Sequence, residues 1–146
     1  IIEAMIKRSC EIKASIVEQD EGEENARRRL NYGHTIGHAI EAALDYKRPH
    51  GQAISVGMSY AARLSTTLGF IEEGSVIRQD NLLKQAGLPI MLDDFKLKPE
   101  NIIGHIQYDK KIINEKINFI LLKSIGNAFI SDEVTFDDII GIMEEK

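Results

Sequence analysis

Apolar residues recur at helical spacing through most of this 146-residue chain, and this periodicity restricts its fold more than any other feature. The first helical face carries Ile2, Met5, Ile6, Ile12 and Ile16, which predicts a helix over residues 1–19. Similar patterns predict further helices over residues 34–44, 52–68, 75–87, 98–109 and 135–146. Amphipathic helices bury their apolar faces against one another, so the chain is predicted to be mainly α, a helical bundle.

One region departs from the helical pattern. The stretches "KINFILLK" (residues 116–123) and "NAFISDEV" (residues 127–134) flank a turn at "SIGN" and read as two short strands. They predict one small β-hairpin within the helical bundle. We find no internal repeat, so residues 1–146 are predicted to form one helical domain.

Charge and composition narrow the possible partners and the compartment. A net charge of −5 argues against a nucleic-acid surface, and apolar runs such as "INFILL" are too short to span a bilayer. The single cysteine, Cys10, cannot form an internal disulfide, which favours a cytoplasmic location, and we expect it to be a small buried residue. The chain starts without methionine inside a helical pattern, so we expect it to be a domain of a longer polypeptide.

Three of the four histidines lie close together in the sequence. In "LNYGHTIGHAI", His34 and His38 have the i, i+4 spacing that places both rings on one side of a helix, and "PHG" adds His50. A zinc protease would carry glutamate directly after the first histidine, but Thr35 stands there. Spacing alone leaves two readings open: a metal site formed by these three histidines, or histidines with a structural role. The fourth, His105, is predicted to be an ordinary surface residue.

The same segments resemble one family closely, the C-terminal domain of 3-dehydroquinate synthase. The similarity runs through "RSCEIKASIV", "RRRLNYGHTIGHAIE", "HGQAISVGM", "LLKQAGLP", "DKK" and "INFILLKSIG", and so covers essentially the whole chain. It implies that residues 1–146 are the helical metal- and substrate-binding domain of a two-domain enzyme. The N-terminal domain of such an enzyme, which binds NAD, is not included in this chain.

The resemblance implies a reaction and its cofactors. The reaction is the cyclisation of 3-deoxy-arabino-heptulosonate 7-phosphate to 3-dehydroquinate with release of phosphate, a carbon–oxygen lyase step of the shikimate pathway for aromatic amino acids. NAD and a divalent metal, zinc or cobalt, are the implied cofactors. The implied partners are a sugar-phosphate acid substrate and, in the full-length enzyme, a second copy in a homodimer. Neither nucleic acid nor membrane is implied, and we expect this chain alone to be inactive.

The resemblance also assigns roles to particular residues. The metal ligands would be His34 and His50, with a third ligand, a glutamate, upstream of Ile1. His38 would be the catalytic group that touches the substrate. The further substrate-binding residues would be Lys13, Arg27, Asn31 and one of the two lysines Lys110 and Lys111.

Two positions depart from the family pattern, and alternatives remain. Gln52 stands where the family usually has glutamate, and Asn25 where it commonly has glycine. The first alternative is a related cyclase acting on another sugar phosphate, and the second is a metal alcohol dehydrogenase resembling glycerol dehydrogenase. The third is a non-enzymatic helical module, which would not bind zinc through His34 and His50.

Overall fold

The computed structural model describes residues 1–19, 26–113 and 117–144, with the side chains of residues 108–113 excepted. Within these ranges lie six α-helices: α1 (Ile2–Gln19), α2 (His34–Ala43), α3 (His50–Thr67), α4 (Glu73–Gln85), α5 (Pro99–Ile113) and α6 (Phe136–Glu144). Two strands, β1 (Phe119–Ser124) and β2 (Asn127–Ser131), follow α5. Short 3₁₀ helices occupy Arg27–Asn31 and Leu92–Phe95. The predicted class, mainly α with one small hairpin, is confirmed.

Helix boundaries differ modestly from those predicted. Helix α3 begins at His50 rather than at Gln52, because Pro49 has an extended ψ of 132° and leaves the next residue free to start the helix. Helix α5 continues to Ile113, past the predicted end. The predicted cap of α6 is confirmed: Thr135 Oγ1 accepts the backbone N–H of Asp138 at 3.2 Å.

The two strands pair in an antiparallel hairpin, as predicted. Phe119 lies opposite Ser131, and the turn contains Gly126 at a φ of +88°. The first four residues of β1 are buried and lie against α3. Leu122 donates its backbone N–H to Ser65 Oγ on α3 at 3.0 Å, which ties the hairpin to the helices.

Helix α3 is the centre of the domain. It packs against α2, α4, β1 and α6, and eleven of its residues are buried. Many of them are small, so the neighbouring backbones can approach closely. The main core joins side chains of α2, α3, α5, α6 and β1, among them Ile40, Tyr60, Ile102, Leu121 and Ile139.

The apolar face of α1 was expected to be buried, but the structure leaves it exposed. No residue of α1 is buried, and the exposed apolar residues of the chain include Ile2, Met5, Ile6 and Ile12. Cys10 is exposed as well, so the prediction that it is buried is wrong. The physical reason is that α1 touches the rest of the described chain mainly at the 3₁₀ helix Arg27–Asn31. Periodicity predicts that a face exists, but not that the described residues cover it.

Candidate functional site

The site is built at the junction of α2 and α3. Gly33 precedes α2 with a φ of +80°, a left-handed conformation that glycine adopts without a steric penalty. This turn sets His34 as the first residue of α2 and His38 one helical turn later. His50 is the first residue of α3, directly after Pro49.

Helices α2 and α3 pack as an antiparallel pair through their glycines. A Cβ atom at Gly37 would lie 3.1 Å from the Cα of Ile54, and one at Gly33 would lie 2.6 Å from the backbone nitrogen of Met58. One turn beyond Gly37, Glu41 reaches His50. Each step of four residues forward along α2 thus corresponds to about one turn backward along α3. The glycine contacts therefore hold the two helices close together, with His50 at the start of α3 beside Glu41 near the end of α2.

The three histidine rings form a triangle. The ring centroids lie 5.3 Å apart for His34 and His38, 5.4 Å for His34 and His50, and 6.0 Å for His38 and His50. The structure therefore brings together the three histidines that the sequence singled out. His105 is exposed on α5, as predicted.

Hydrogen bonds distinguish two of these rings from the third. His34 Nδ1 lies 3.2 Å from the carbonyl oxygen of Tyr32, and His50 Nδ1 lies 2.9 Å from Glu41 Oε1. A carbonyl or carboxylate oxygen only accepts, so in both rings Nδ1 carries the hydrogen. The lone pair of each neutral ring then sits on Nε2. Two imidazoles prepared in this way suit a divalent metal such as zinc.

Burial of His34 also favours the neutral form of its ring. Desolvation lowers the pKa of His34, and the nearby His38 and His50 lower it further, while the hydrogen bond to the Tyr32 carbonyl opposes the shift. The lowered pKa favours the neutral imidazole. Neutral imidazole is the form that binds a metal.

A second combination of residues also has the distances of a metal site. One ligand atom each from His38, Glu41 and His50 all lie within 4.8 Å of one another. This group shares His50 with the pair implied by the family resemblance but contains Glu41 and His38 in place of His34. Glu41 is half-buried in the last turn of α2, and the sequence reasoning did not single it out. Its position, three residues after His38 and seven after His34, would have placed it on the same helical face.

The predicted substrate-binding residues lie in several elements. Arg27 and Asn31 begin and end the 3₁₀ helix that leads into Tyr32 and His34, and both side chains are exposed. Lys13 is exposed on α1. The side chains of Lys110 and Lys111 lie outside the described part of the structure, as does Asn25.

One of the two positions that depart from the family pattern, Gln52, lies close to the site along the chain. Gln52 is half-buried in the first turn of α3, two residues after His50. Its side chain is neutral, so the carboxylate that lies beside His50 is that of Glu41.

No helix among the described residues is long and apolar enough to cross a membrane.

Known proteins are similar to this chain over nearly its whole length. A family model described as "3-dehydroquinate synthase C-terminal" matches residues 1–112. The curated 3-dehydroquinate synthase of Caldanaerobacter subterraneus subsp. tengcongensis is 46% identical over 142 residues, covering 97% of this chain and 37% of the relative. That of Dehalococcoides mccartyi is 41% identical over 145 residues, covering 99% and 40%. The chain thus spans about 40% of the length of these relatives.

Solved structures of related enzymes share the fold. A 2-deoxy-scyllo-inosose synthase, crystallised with carbaglucose-6-phosphate, NAD+ and Co2+, superposes with a TM-score of 0.80 at 28% identity. The match covers 97% of this chain and 40% of that one. A 2-epi-5-epi-valiolone synthase from Streptomyces hygroscopicus subsp. jinggangensis, with a TM-score of 0.81 at 19% identity, supports the fold alone.

Proposed function

Since this chain belongs to the family of 3-dehydroquinate synthase C-terminal domains, we propose that it is the metal- and substrate-binding domain of a 3-dehydroquinate synthase. The proposed reaction is the cyclisation of 3-deoxy-arabino-heptulosonate 7-phosphate to 3-dehydroquinate with loss of phosphate, in the cytoplasm. Because the chain spans about 40% of its relatives, the activity belongs to a longer protein, and NAD is bound mainly by the rest of that protein. A homodimer is the proposed assembly of that longer form.

The observation that carries the proposal is the pair of prepared imidazoles. His34 and His50 each donate Nδ1–H to an oxygen, and each keeps Nε2 free for a metal. We assign these two residues as metal ligands. When bound, the metal supplies Lewis-acid polarisation of substrate oxygens, and NAD supplies reversible hydride transfer.

His38 is assigned a different role from its two neighbours. Its ring lies 5.3 Å from that of His34 and 6.0 Å from that of His50, and it is exposed. An exposed imidazole beside a metal site can take a proton from the substrate or return one to it, a role that typically contributes about 10²–10⁴-fold to rate. We therefore propose His38 as the catalytic residue that touches the substrate.

The remaining assigned residues hold the two acidic ends of the substrate. Guanidinium and ammonium groups complement phosphate and carboxylate, which suits Arg27, Lys13 and one of the pair Lys110 and Lys111. Asn31 offers an amide three residues before His34, suited to a substrate hydroxyl. Holding a flexible sugar acid in one orientation lowers the barrier to ring closure.

The test is a chimera in which this chain replaces the matching segment of the Caldanaerobacter relative. With NAD and Co2+ it should release phosphate from 3-deoxy-arabino-heptulosonate 7-phosphate, whereas the 146-residue chain alone should not. His50→Ala should abolish both turnover and Co2+ absorption, and His38→Asn should lower turnover by about 10²–10⁴-fold while keeping Co2+ bound. His105→Ala is the matched control and should change neither. Equal losses in His50→Ala and His105→Ala would refute the assignment.

A related sugar-phosphate cyclase is the second candidate, favoured by the match to the 2-deoxy-scyllo-inosose synthase structure. Such an enzyme would act on a substrate without the acid group. The second function would be favoured by two results together. Carbaglucose-6-phosphate would compete strongly with the heptulosonate phosphate for binding to the chimera, and the chimera would not turn the heptulosonate phosphate over.

A further inference from the structure

We propose that Glu41 is a positioning residue for His50: its carboxylate accepts the Nδ1–H of the ring and so directs Nε2 towards the metal. The inference rests on the proposed function, in which His50 binds the metal. It concerns a residue that the resemblance leaves without a role. The observation is the 2.9 Å separation of His50 Nδ1 and Glu41 Oε1.

The two partners differ in exposure in the way this role requires. The Glu41 side chain is 12% exposed, whereas that of His50 is 56% exposed. The carboxylate is thus held within the protein, and the ring extends from it towards solvent. A hydrogen bond donated to a fixed, largely buried acceptor restricts both the rotation of the exposed ring and its tautomer.

The contact is part of the antiparallel packing of α2 and α3. Gly37 lies against Ile54, and Glu41, one turn further along α2, meets His50, one turn back along α3. The glycine contact brings the helix axes close enough for a side chain as short as glutamate to span them. Glu41 is therefore placed by backbone packing rather than by a flexible loop.

The tautomer is the feature that a merely structural contact would not affect. Neutral histidine in water favours the Nε2–H form, in which Nε2 has no lone pair for a metal. An anionic acceptor at Nδ1 reverses this preference and also makes Nε2 more basic. In His34 the Nδ1–H is held in a similar way by the carbonyl oxygen of Tyr32, which lies 3.2 Å from Nδ1. Both proposed ligands are thus held in one tautomer by a fixed oxygen.

Direct ligation by Glu41 is the competing reading, because His38, Glu41 and His50 also offer atoms within 4.8 Å of one another. The hydrogen bond favours positioning, since Oε1 is already engaged by His50 Nδ1. The two readings predict different behaviour for glutamine at this position. An amide oxygen still accepts Nδ1–H but is a poor metal ligand.

The experiment compares Glu41→Gln and Glu41→Ala with the parent 146-residue protein. Long-range ¹H–¹⁵N spectra of the metal-free proteins at pH 8 report the tautomer of His50, and Co2+ titration reports the affinity. We expect the Nδ1–H form of His50 in the parent protein and a shift to the Nε2–H form in Glu41→Ala. Affinity for Co2+ should fall by about 10–100-fold in Glu41→Ala and by less than tenfold in Glu41→Gln. Glu133→Ala, which removes an exposed carboxylate, should match the parent protein.

Two results would overturn the inference. One is an Nε2–H tautomer of His50 in the parent protein, and the other is a Co2+ affinity in Glu41→Gln as low as in Glu41→Ala, which would make Glu41 a ligand. Circular dichroism of each variant separates both results from unfolding. If Co2+ binding is the same in His50→Ala as in the parent, the proposed function fails instead, whatever the tautomer.

Discussion

A Cβ atom on Gly57 would overlap the carbonyl oxygen of Gly33, because the backbones of α2 and α3 are in contact there. The same Cβ would lie 2.8 Å from the backbone nitrogen of Gly37. These obstacles are backbone atoms, which cannot move aside as a flexible side chain can. Close packing of the two helices, and with it the meeting of Glu41 and His50, therefore depends on glycine at this position.

The first prediction is that Gly57→Ala forces α2 and α3 apart. Overpacking of this kind typically costs about 1–3 kcal/mol. Urea unfolding should show the lower stability, and Co2+ affinity should fall because His34 and His50 separate. Gly104→Ala is the control, since a Cβ there meets nothing within 4 Å, and alanine inside α5 should stabilise by about 0.5–1 kcal/mol. Equal stability of the two variants would contradict this account.

The second prediction concerns the buried link between α3 and the hairpin. Ser65 Oγ donates to the Ala61 carbonyl oxygen at 2.7 Å and accepts the backbone N–H of Leu122 at 3.0 Å. Ser65→Ala leaves the Leu122 N–H buried without its partner, at a loss of about 1–3 kcal/mol. Urea unfolding measures the loss, and hydrogen exchange should be faster at Leu122.

Thr66→Ala is the matched control for Ser65→Ala, because among the described residues the Thr66 hydroxyl bonds within its own helix, to the Ala62 carbonyl oxygen. It should be less destabilising than Ser65→Ala. An unchanged exchange rate at Leu122 in Ser65→Ala would argue that this hydrogen bond does not hold the hairpin.

The third prediction concerns the ion pair of Arg63 and Asp80. Arg63 Nη2 lies 2.8 Å from Asp80 Oδ2, and the two side chains are 23% and 9% exposed. Asp80→Ala leaves the Arg63 charge largely buried and unpaired, so we expect a loss of about 3 kcal/mol. The exposed pair Lys47 and Asp45 supplies the control: Lys47→Ala should leave the unfolding midpoint in urea unchanged. A midpoint for Asp80→Ala equal to that of the parent would show that the buried pair contributes no net stability.

The fourth prediction is a dependence of stability on alkaline pH. Burial raises the pKa of Tyr32 well above its usual value, and the charge of Asp80 adds to the shift, while the hydrogen bond with Gln79 opposes it. Above pH 10 the unfolded chain loses this proton and the folded chain keeps it, so stability falls as pH rises. One such group contributes a slope of about 1.4 kcal/mol per pH unit.

Tyr32→Phe tests that slope. At pH 8 the variant should be less stable by about 1 kcal/mol, because the hydroxyl loses its hydrogen bonds with the Met58 carbonyl oxygen and Gln79 Oε1. The deficit should disappear by about pH 11, because the parent protein there loses stability by keeping the Tyr32 proton in its folded state. Urea unfolding at both pH values measures it, with Tyr46→Phe as the control for loss of an exposed phenol. A constant deficit from pH 8 to pH 11 would contradict the prediction.

Local patterns predicted most of the secondary structure. Residues at i, i+3 and i+4 share a helical face whatever surrounds the helix, so the helices and the positions of His34 and His38 followed from spacing. The hairpin followed from the change to short β-rich segments around a turn. Start and end positions were less predictable, as at His50, because they depend on capping and on backbone angles near Pro49.

The amino-acid sequence by itself determined the helical class, the hairpin, the family and the set of three histidines. Only the tertiary structure decided which oxygen each ring meets, that Glu41 lies beside His50, and that the apolar face of α1 is exposed. The reason is that helical periodicity is a local property of a few neighbouring residues. The contact of Glu41 with His50 crosses a loop and depends on two helices approaching at Gly33, Gly37 and Gly57, a geometry set by packing.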